Sequence, residues 1–157
     1  MIRIARLTDY GIVLLTHFPR DGRSIVNARD LAAEANLPLP TVSKILKALS
    51  KAGLLVSHRG VAGGYSLARP PDQITVAEII GALEGPIAMT DCAGDAHGLC
   101  TLEPCCPTQD NWRKINAAVR RALQGLTLAD MTPAAEPWAE PLIQLTAKPA
   151  AGPRLTV

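Results

Sequence analysis

The sequence predicts a mainly α-helical fold that carries one small β-hairpin. Three observations lead there. Apolar residues recur at helical spacing in five separate windows between Thr8 and Gln124. Two short runs of strand character, Leu54–His58 and Tyr65–Ala68, flank a glycine-rich hexapeptide, Arg59-Gly60-Val61-Ala62-Gly63-Gly64. The four cysteines of the 157-residue chain fall together between Thr90 and Pro107, where no periodicity is present. A chain of this length is about one domain and buries a core without needing those cysteines as staples.

The first helix is expected over Thr8 to Phe18, with Ile12, Leu15 and Phe18 on one face and Thr8 or Asp9 as its cap. Pro19 to Arg23 reads as a turn. A second helix, Ala28 to Ala35, follows Asn27, a good capping residue, with Asp30 favourably placed in the first turn. After the turn Asn36-Leu37-Pro38-Leu39, Pro40 suits the first position of a third helix. Its stripe is Val42, Ile45, Leu46 and Leu49, at i, i+3, i+4 and i+7. Thr41, Lys44, Lys47 and Lys51 share another face with Ser43 beside it, and Gly53 ends the helix. Two short helices joined by a tight turn, the second with a polar and basic face, form a helix-turn-helix pattern, and the hairpin behind them reads as a wing.

Thr75 caps a further helix, Val76 to Leu83, with Glu78 at its third position, and Gly85-Pro86 closes it. A long helix is expected over Gln109 to Gln124, with Trp112, Ile115, Val119, Leu123 and then Leu126 as its apolar stripe. The organisation is therefore a winged helix-turn-helix over 1–86, a cysteine-rich loop over 87–108 and a long dimerisation helix over 109–131. A Pro- and Ala-rich tail over 132–157 is expected to be disordered.

The formal charge of +2 conceals an asymmetry: residues 1–70 carry a net +6 and residues 71–157 a net −4. A basic N-terminal half is the weak footprint of a polyanionic partner. No stretch approaches the ~20 apolar residues of a membrane helix, and Met1 to Arg6 does not read as a signal peptide. The expected setting is the reducing cytoplasm, where clustered cysteines bind metal or act in redox chemistry more often than they form structural disulfides.

Three constellations carry chemistry. Thr41, Ser43, Lys44 and Lys47 on the third helix are candidates to read base edges and phosphates in the major groove. Arg59, with the backbone amides of Gly60, Gly63 and Gly64, suits phosphate or the minor groove. Against this stands a winged helix used for protein contact, with a merely solvated lysine face. The cysteines Cys92, Cys100, Cys105 and Cys106 match neither the paired spacing of a zinc ribbon nor the ferredoxin run. Adjacent cysteines rarely bind one metal ion together, so three of the four are expected to be ligands of zinc or an iron–sulfur cluster. His97 is a local candidate for a fourth position. Reduced structural thiols and a thiol–disulfide switch are the alternatives. The helix led by Trp112 suits a homodimer, which matches a two-fold operator. No catalytic set stands out: His17, His58 and His97 lie in different segments and no phosphate loop is present, so the chain is read as a non-enzyme.

These residues resemble one family: the iron–sulfur-sensing winged-helix transcription regulators of the Rrf2 type, which include IscR, NsrR and the SUF-system assembly regulators. The resemblance covers residues 1–131. It rests on Leu7-Thr8-Asp9-Tyr10, on Leu39 to Lys47, on His58-Arg59-Gly60 through Gly63-Gly64-Tyr65, on the cysteine loop followed by Trp112, and on Thr127 to Met131. The string is most similar to the SUF-system regulators. The resemblance implies double-stranded operator DNA as partner, a homodimer, and one cluster per subunit held by Cys92, Cys100 and Cys106, with Cys105 to spare. Cys92 stands two residues further from Cys100 than the commonest family spacing. Where one family member has a histidine ligand this chain has Gln109, a poor ligand. Asp9 matches the aspartate that in another member reaches the cluster from the second subunit, with helix capping as its other role. The resemblance implies a 4Fe–4S cluster ahead of 2Fe–2S, and a cluster-responsive repressor of SUF-type iron–sulfur assembly genes. The alternative keeps DNA binding but makes the metal structural zinc, or the switch a Cys105/Cys106 thiol oxidation.

Overall fold

A computed structural model describes residues 3–19, 24–60, 63–94 and 100–132. The expected tail from residue 133 onward, His97, Val61-Ala62 of the wing and most of the Pro19–Arg23 turn lie outside the described residues. Six helices and one two-stranded antiparallel sheet are seen among the described residues: α1 (Arg6–Thr16), α2 (Ala28–Glu34), α3 (Leu39–Lys51), β1 (Leu55–His58), β2 (Gly64–Leu67), α4 (Val76–Glu84), α5 (Gln109–Gln124) and α6 (Leu128–Met131). The architecture is the mainly helical one with a hairpin that the sequence predicts.

One core serves all of it. Leu14 and Leu15 of α1, Leu31 of α2, and Val42, Ile45, Leu46 and Leu49 of α3 are buried together. They meet Leu54, Leu55 and Leu67 of the hairpin region, Ile74, Ile79 of α4 and Leu128 of α6. The α3 stripe read from the sequence is thus the centre of the core. The helix begins at Leu39 rather than Pro40, with Pro38 in extended backbone as its N-cap. In α2, Asn27 caps as expected: its side-chain oxygen accepts from the backbone N–H of Arg29 at 2.8 Å and of Asp30 at 3.0 Å.

The start of α1 corrects the sequence reading. The helix opens two residues earlier, at Arg6, and its N-cap is Ala5, which has no side-chain acceptor. The Ala5 N–H instead donates to Glu84 Oε1 at the end of α4, at 2.8 Å. A tertiary hydrogen bond thus satisfies one of the free donors at the helix start. Thr8 therefore lies within the first turns and turns into the core, where its hydroxyl has no hydrogen-bond partner. Asp9 is exposed on the helix and does not cap it.

The hairpin pairs Leu55 with Leu67, Val56 with Ser66, Ser57 with Tyr65 and His58 with Gly64. A third piece of chain joins it: Val26 N–H donates to Tyr65 O at 2.9 Å and Tyr65 N–H to Val26 O at 2.8 Å. The wing is thereby fixed to the residue just before the α2 cap. On α4 the capping box is complete, Thr75 and Glu78 each satisfying the other's backbone N–H. Beyond α5 the chain returns to this helix start: Val76 N–H donates to Leu126 O at 2.9 Å and Leu128 N–H to Ile74 O at 2.8 Å. A second capping box, Thr127 with Asp130, opens α6 and places Leu128 in the core.

Candidate nucleic-acid interface and cysteine site

The reader face is built by α3. Burying Val42, Ile45, Leu46 and Leu49 leaves the opposite side of the helix in solvent. Lys44, Lys47 and Lys51 are exposed there, with Thr41 and Ser43 half-buried at its start. A cleft of about 650 Å³ lies between this start and the wing, lined by Ile25, Asn27, Arg29, Leu39 and Gly63 among others. Arg29 is exposed beside α3 and was given no role by the sequence reading. Its signal is faint, because a basic residue in the first turn of a short helix reads as ordinary surface.

The wing has the backbone its tip requires. Arg59 is exposed and Gly60 takes a φ of 110°, a conformation that side chains disfavour. Gly64 is required for a different reason: a Cβ there would stand 2.5 Å from Val26 O and 2.9 Å from Ile25 Cγ2. Below the wing's tip His58 Nε2 and Ser66 Oγ share a 2.9 Å hydrogen bond across the two strands. Of the residues lining this cleft Arg29 is cationic and Asp30 anionic; Lys44, Lys47 and Arg59 are exposed on the neighbouring helix and wing, where cations suit a phosphate backbone.

The cysteines occupy the connection between α4 and α5. Cys92 is only 6% exposed and sits in a turn closed by the Ala93 N–H to Thr90 O bond of 3.0 Å. Its Sγ lies 3.4 Å from Thr90 Oγ1. Cys100 is half-buried and opens the short turn that leads to Glu103–Cys105. Cys105 is exposed, its thiol pointing to Leu102 O at 3.6 Å. Cys106 stands three residues before α5, with Sγ 3.4 Å from Thr108 Oγ1. The Thr108 hydroxyl, then the backbone N–H groups of Thr108 and Gln109, hold its thiol below the usual cysteine range against the small opposing effect of burial. Gln109 is engaged elsewhere: its amide donates to Glu103 Oε1 at 3.2 Å, and Arg113 approaches the same oxygen at 3.8 Å.

The donor chemistry fits a soft metal centre, since the thiolate is the ligating form and Cys106 is biased towards it. Among the described residues, however, no three of His, Cys, Asp and Glu stand close enough together to hold a metal ion. Asp9 is exposed on α1.

The long helix divides its expected stripe between the core and solvent. Leu123 packs against the common core, whereas Trp112 and Ile115 remain 37% and 46% exposed. Between them and Leu123 lies Asn116, a buried polar side chain that pattern reading missed. A mid-helix Asn, a poor helix former, was its one available signal. No described helix is long and apolar enough to cross a membrane.

Comparison with known proteins agrees with this geometry. Residues 4–134 match the Rrf2 family model, described as iron-dependent transcriptional regulator. A Synechocystis sp. protein classed as an HTH-type transcriptional regulator is 35% identical over 112 residues, spanning 71% of this chain and 74% of its own. The structure of CymR, the global cysteine regulator of B. subtilis, superposes with a TM-score of 0.62 at 32% identity, covering 84% of this chain and 97% of that one. T. potens IscR does so with a TM-score of 0.57 at 30% identity, covering 83% and 85%. The chain belongs to the Rrf2 family of transcriptional regulators.

Proposed function

We propose that this regulator is a cytoplasmic homodimer that represses SUF-type iron–sulfur assembly genes and responds to an iron–sulfur cluster of its own. The observation that carries the proposal is the position of Cys106. It stands three residues before α5, in the same connection as Cys92 and Cys100, on a chain whose N-terminal part is a winged helix-turn-helix. In this reading Cys92, Cys100 and Cys106 hold the cluster, 4Fe–4S ahead of 2Fe–2S, and the exposed Asp9 of a second copy supplies the remaining ligand. The bound cluster supplies an exchangeable, redox-sensitive link between these side chains. Thr41, Ser43, Lys44 and Lys47 enter the major groove. Arg59, with the backbone of Gly60, Gly63 and Gly64, reaches phosphate or the minor groove, and Arg29 adds a phosphate contact. Trp112 and Ile115 pack against the second copy.

The test is anaerobic purification with iron and sulfide analysis and a visible spectrum, for the parent chain, Cys106→Ala and Asp9→Ala. The expected result is a brown protein with broad thiolate-to-iron absorption, abolished in Cys106→Ala and weakened in Asp9→Ala. Its affinity for DNA from upstream of SUF-type genes should change when the cluster is removed. A colourless protein under these conditions overturns the cluster reading.

One observation favours a second reading. Cys105 is exposed and adjacent in sequence to Cys106, a neighbouring thiol pair of the kind a redox switch uses. A metal-free protein whose DNA binding is lost with peroxide and restored by a dithiol would establish that alternative.

A further inference from the structure

We infer that Asn116 is the positioning residue for Cys92, clamping the turn that carries this thiol onto α5. The inference rests on the cluster reading for its functional meaning, but its structural basis is separate. Asn116 lies in the middle of α5 and is 3% exposed. A buried amide has to spend its donors and its acceptor, and this one does so on a single distant segment. Its Oδ1 accepts from the Met89 N–H at 3.1 Å. Its Nδ2 donates to Ile87 O at 3.2 Å and to Ala93 O at 3.0 Å. All three partners are backbone groups lying 23 to 29 residues earlier in the chain.

The bracket has a consequence for Cys92. Met89 precedes the Thr90–Ala93 turn and Ala93 closes it, so both ends of the turn are tied to one side chain. The segment between Gly85 and Gly94 forms no helix or strand that would hold it otherwise. Cys92 is buried, although it sits in a surface connection, because the turn is pressed against the helix. The same helix begins three residues after Cys106. Asn116 therefore fixes the first of the expected ligands to the element that follows the last.

The test uses the full chain, reduced and metal-free. Asn116→Leu keeps the number and branching of the side-chain heavy atoms and removes all three hydrogen bonds. Asn116→Asp keeps the acceptor for Met89 and removes both donors. The rate of N-ethylmaleimide addition to each cysteine is read by peptide mass spectrometry under native conditions, with far-ultraviolet circular dichroism as the folding control. Cys92 should react faster in both variants, by about tenfold or more, as expected when a local opening loses two or three hydrogen bonds. Cys105 and Cys106 should keep their rates. An unchanged Cys92 rate overturns the inference. So does a parallel rise at all the cysteines, which would mean that Asn116 only supports the fold as a whole. Anaerobic reconstitution with iron and sulfide then separates this inference from the one it rests on. A parent protein that takes up no iron and sulfide defeats the cluster reading and leaves the alkylation result standing. A cluster that survives a chelator equally long in parent and Asn116→Leu defeats the positioning role.

Discussion

Gly64→Ala is the most informative single-methyl change in the wing. The added Cβ would stand 2.5 Å from Val26 O and 2.9 Å from both Val26 C and Ile25 Cγ2. Backbone atoms cannot turn aside as a side-chain tip can, so β2 and the Val26 segment have to separate. That separation stretches the Val26–Tyr65 pair, two hydrogen bonds of 2.9 and 2.8 Å. Each contributes about 1 kcal/mol net, and forcing a methyl into a filled space costs about 1–3 kcal/mol. Because the strain and the broken bonds are alternative outcomes of one clash, they do not add fully, and the expected destabilisation is about 2–3 kcal/mol. Val26 directly precedes the Asn27 cap, so the displacement reaches α2 as well as the wing. Urea unfolding of the metal-free protein measures the stability, and fluorescence anisotropy with a DNA fragment measures the binding. The midpoint should fall without a change in slope, and DNA affinity should weaken at constant salt. A stability change below about 0.5 kcal/mol, the ordinary range for a surface substitution, would refute the claim that the wing is anchored through this contact.

Gly81 makes the opposite case. It lies inside α4, exposed, with nothing within 4 Å of an added Cβ. Gly81→Ala should therefore stabilise by about 0.5–1 kcal/mol, read by the same urea titration, and a destabilisation would show that α4 is not helical there. Lys44→Ala and Lys47→Ala should weaken DNA binding and lower the slope of log affinity against log salt by about 1 for each phosphate that a lysine no longer neutralises; unchanged slopes would remove these lysines from the interface. Glu78 supplies a pH dependence. Burial pulls its pKa up, but the Thr75 N–H, the Arg69 guanidinium at 2.8 Å and the Thr75 hydroxyl outweigh it, so the net shift is downward. A carboxylate with a lowered folded pKa stabilises the fold above its unfolded value, about 4.3, and that contribution disappears as pH falls through the folded value. The stability gap between the parent and Glu78→Gln should be full at neutral pH and close in the acid range below about 4.3; a gap independent of pH would mean that the charge is irrelevant to the cap.

The parts of this fold that were legible from sequence are those set by local rules. Val42, Ile45, Leu46 and Leu49 repeat at the helical period, and all four are buried. Asn27 and the Thr75–Glu78 box cap their helices because capping needs only residues three apart. The misread start of α1 shows where local rules stop. Thr8 and Asp9 have the chemistry of caps, yet the Ala5 N–H found its acceptor on Glu84, 79 residues away. The same holds for the Val26–Tyr65 bridge, which joins a residue outside any strand to the hairpin. Asn116 was hidden for a related reason. Its partners are backbone groups of an aperiodic segment, and backbone groups are the same at every position, so no residue type marks them.

The divided face of α5 links the two halves of the site. Leu123, near its C-terminal end, is spent on the core of its own chain, while Trp112 and Ile115, in its first two turns, are not. The exposed pair thus sits on the turns that follow Cys106 directly. Helices are stiff along their axis, and a shift at the first turn carries to the residues it holds. In the dimeric reading, gain or loss of ligation at Cys106 acts on the very turns that meet the second copy. The spacing of the two reading heads follows from how those copies meet, and operator half-sites about one helical turn apart tolerate little change in it. A metal centre placed at the start of this helix, rather than within the winged domain, needs no direct contact with α3 to alter DNA binding. It needs only the packing of Leu123 to make α5 move as one body with the core behind it.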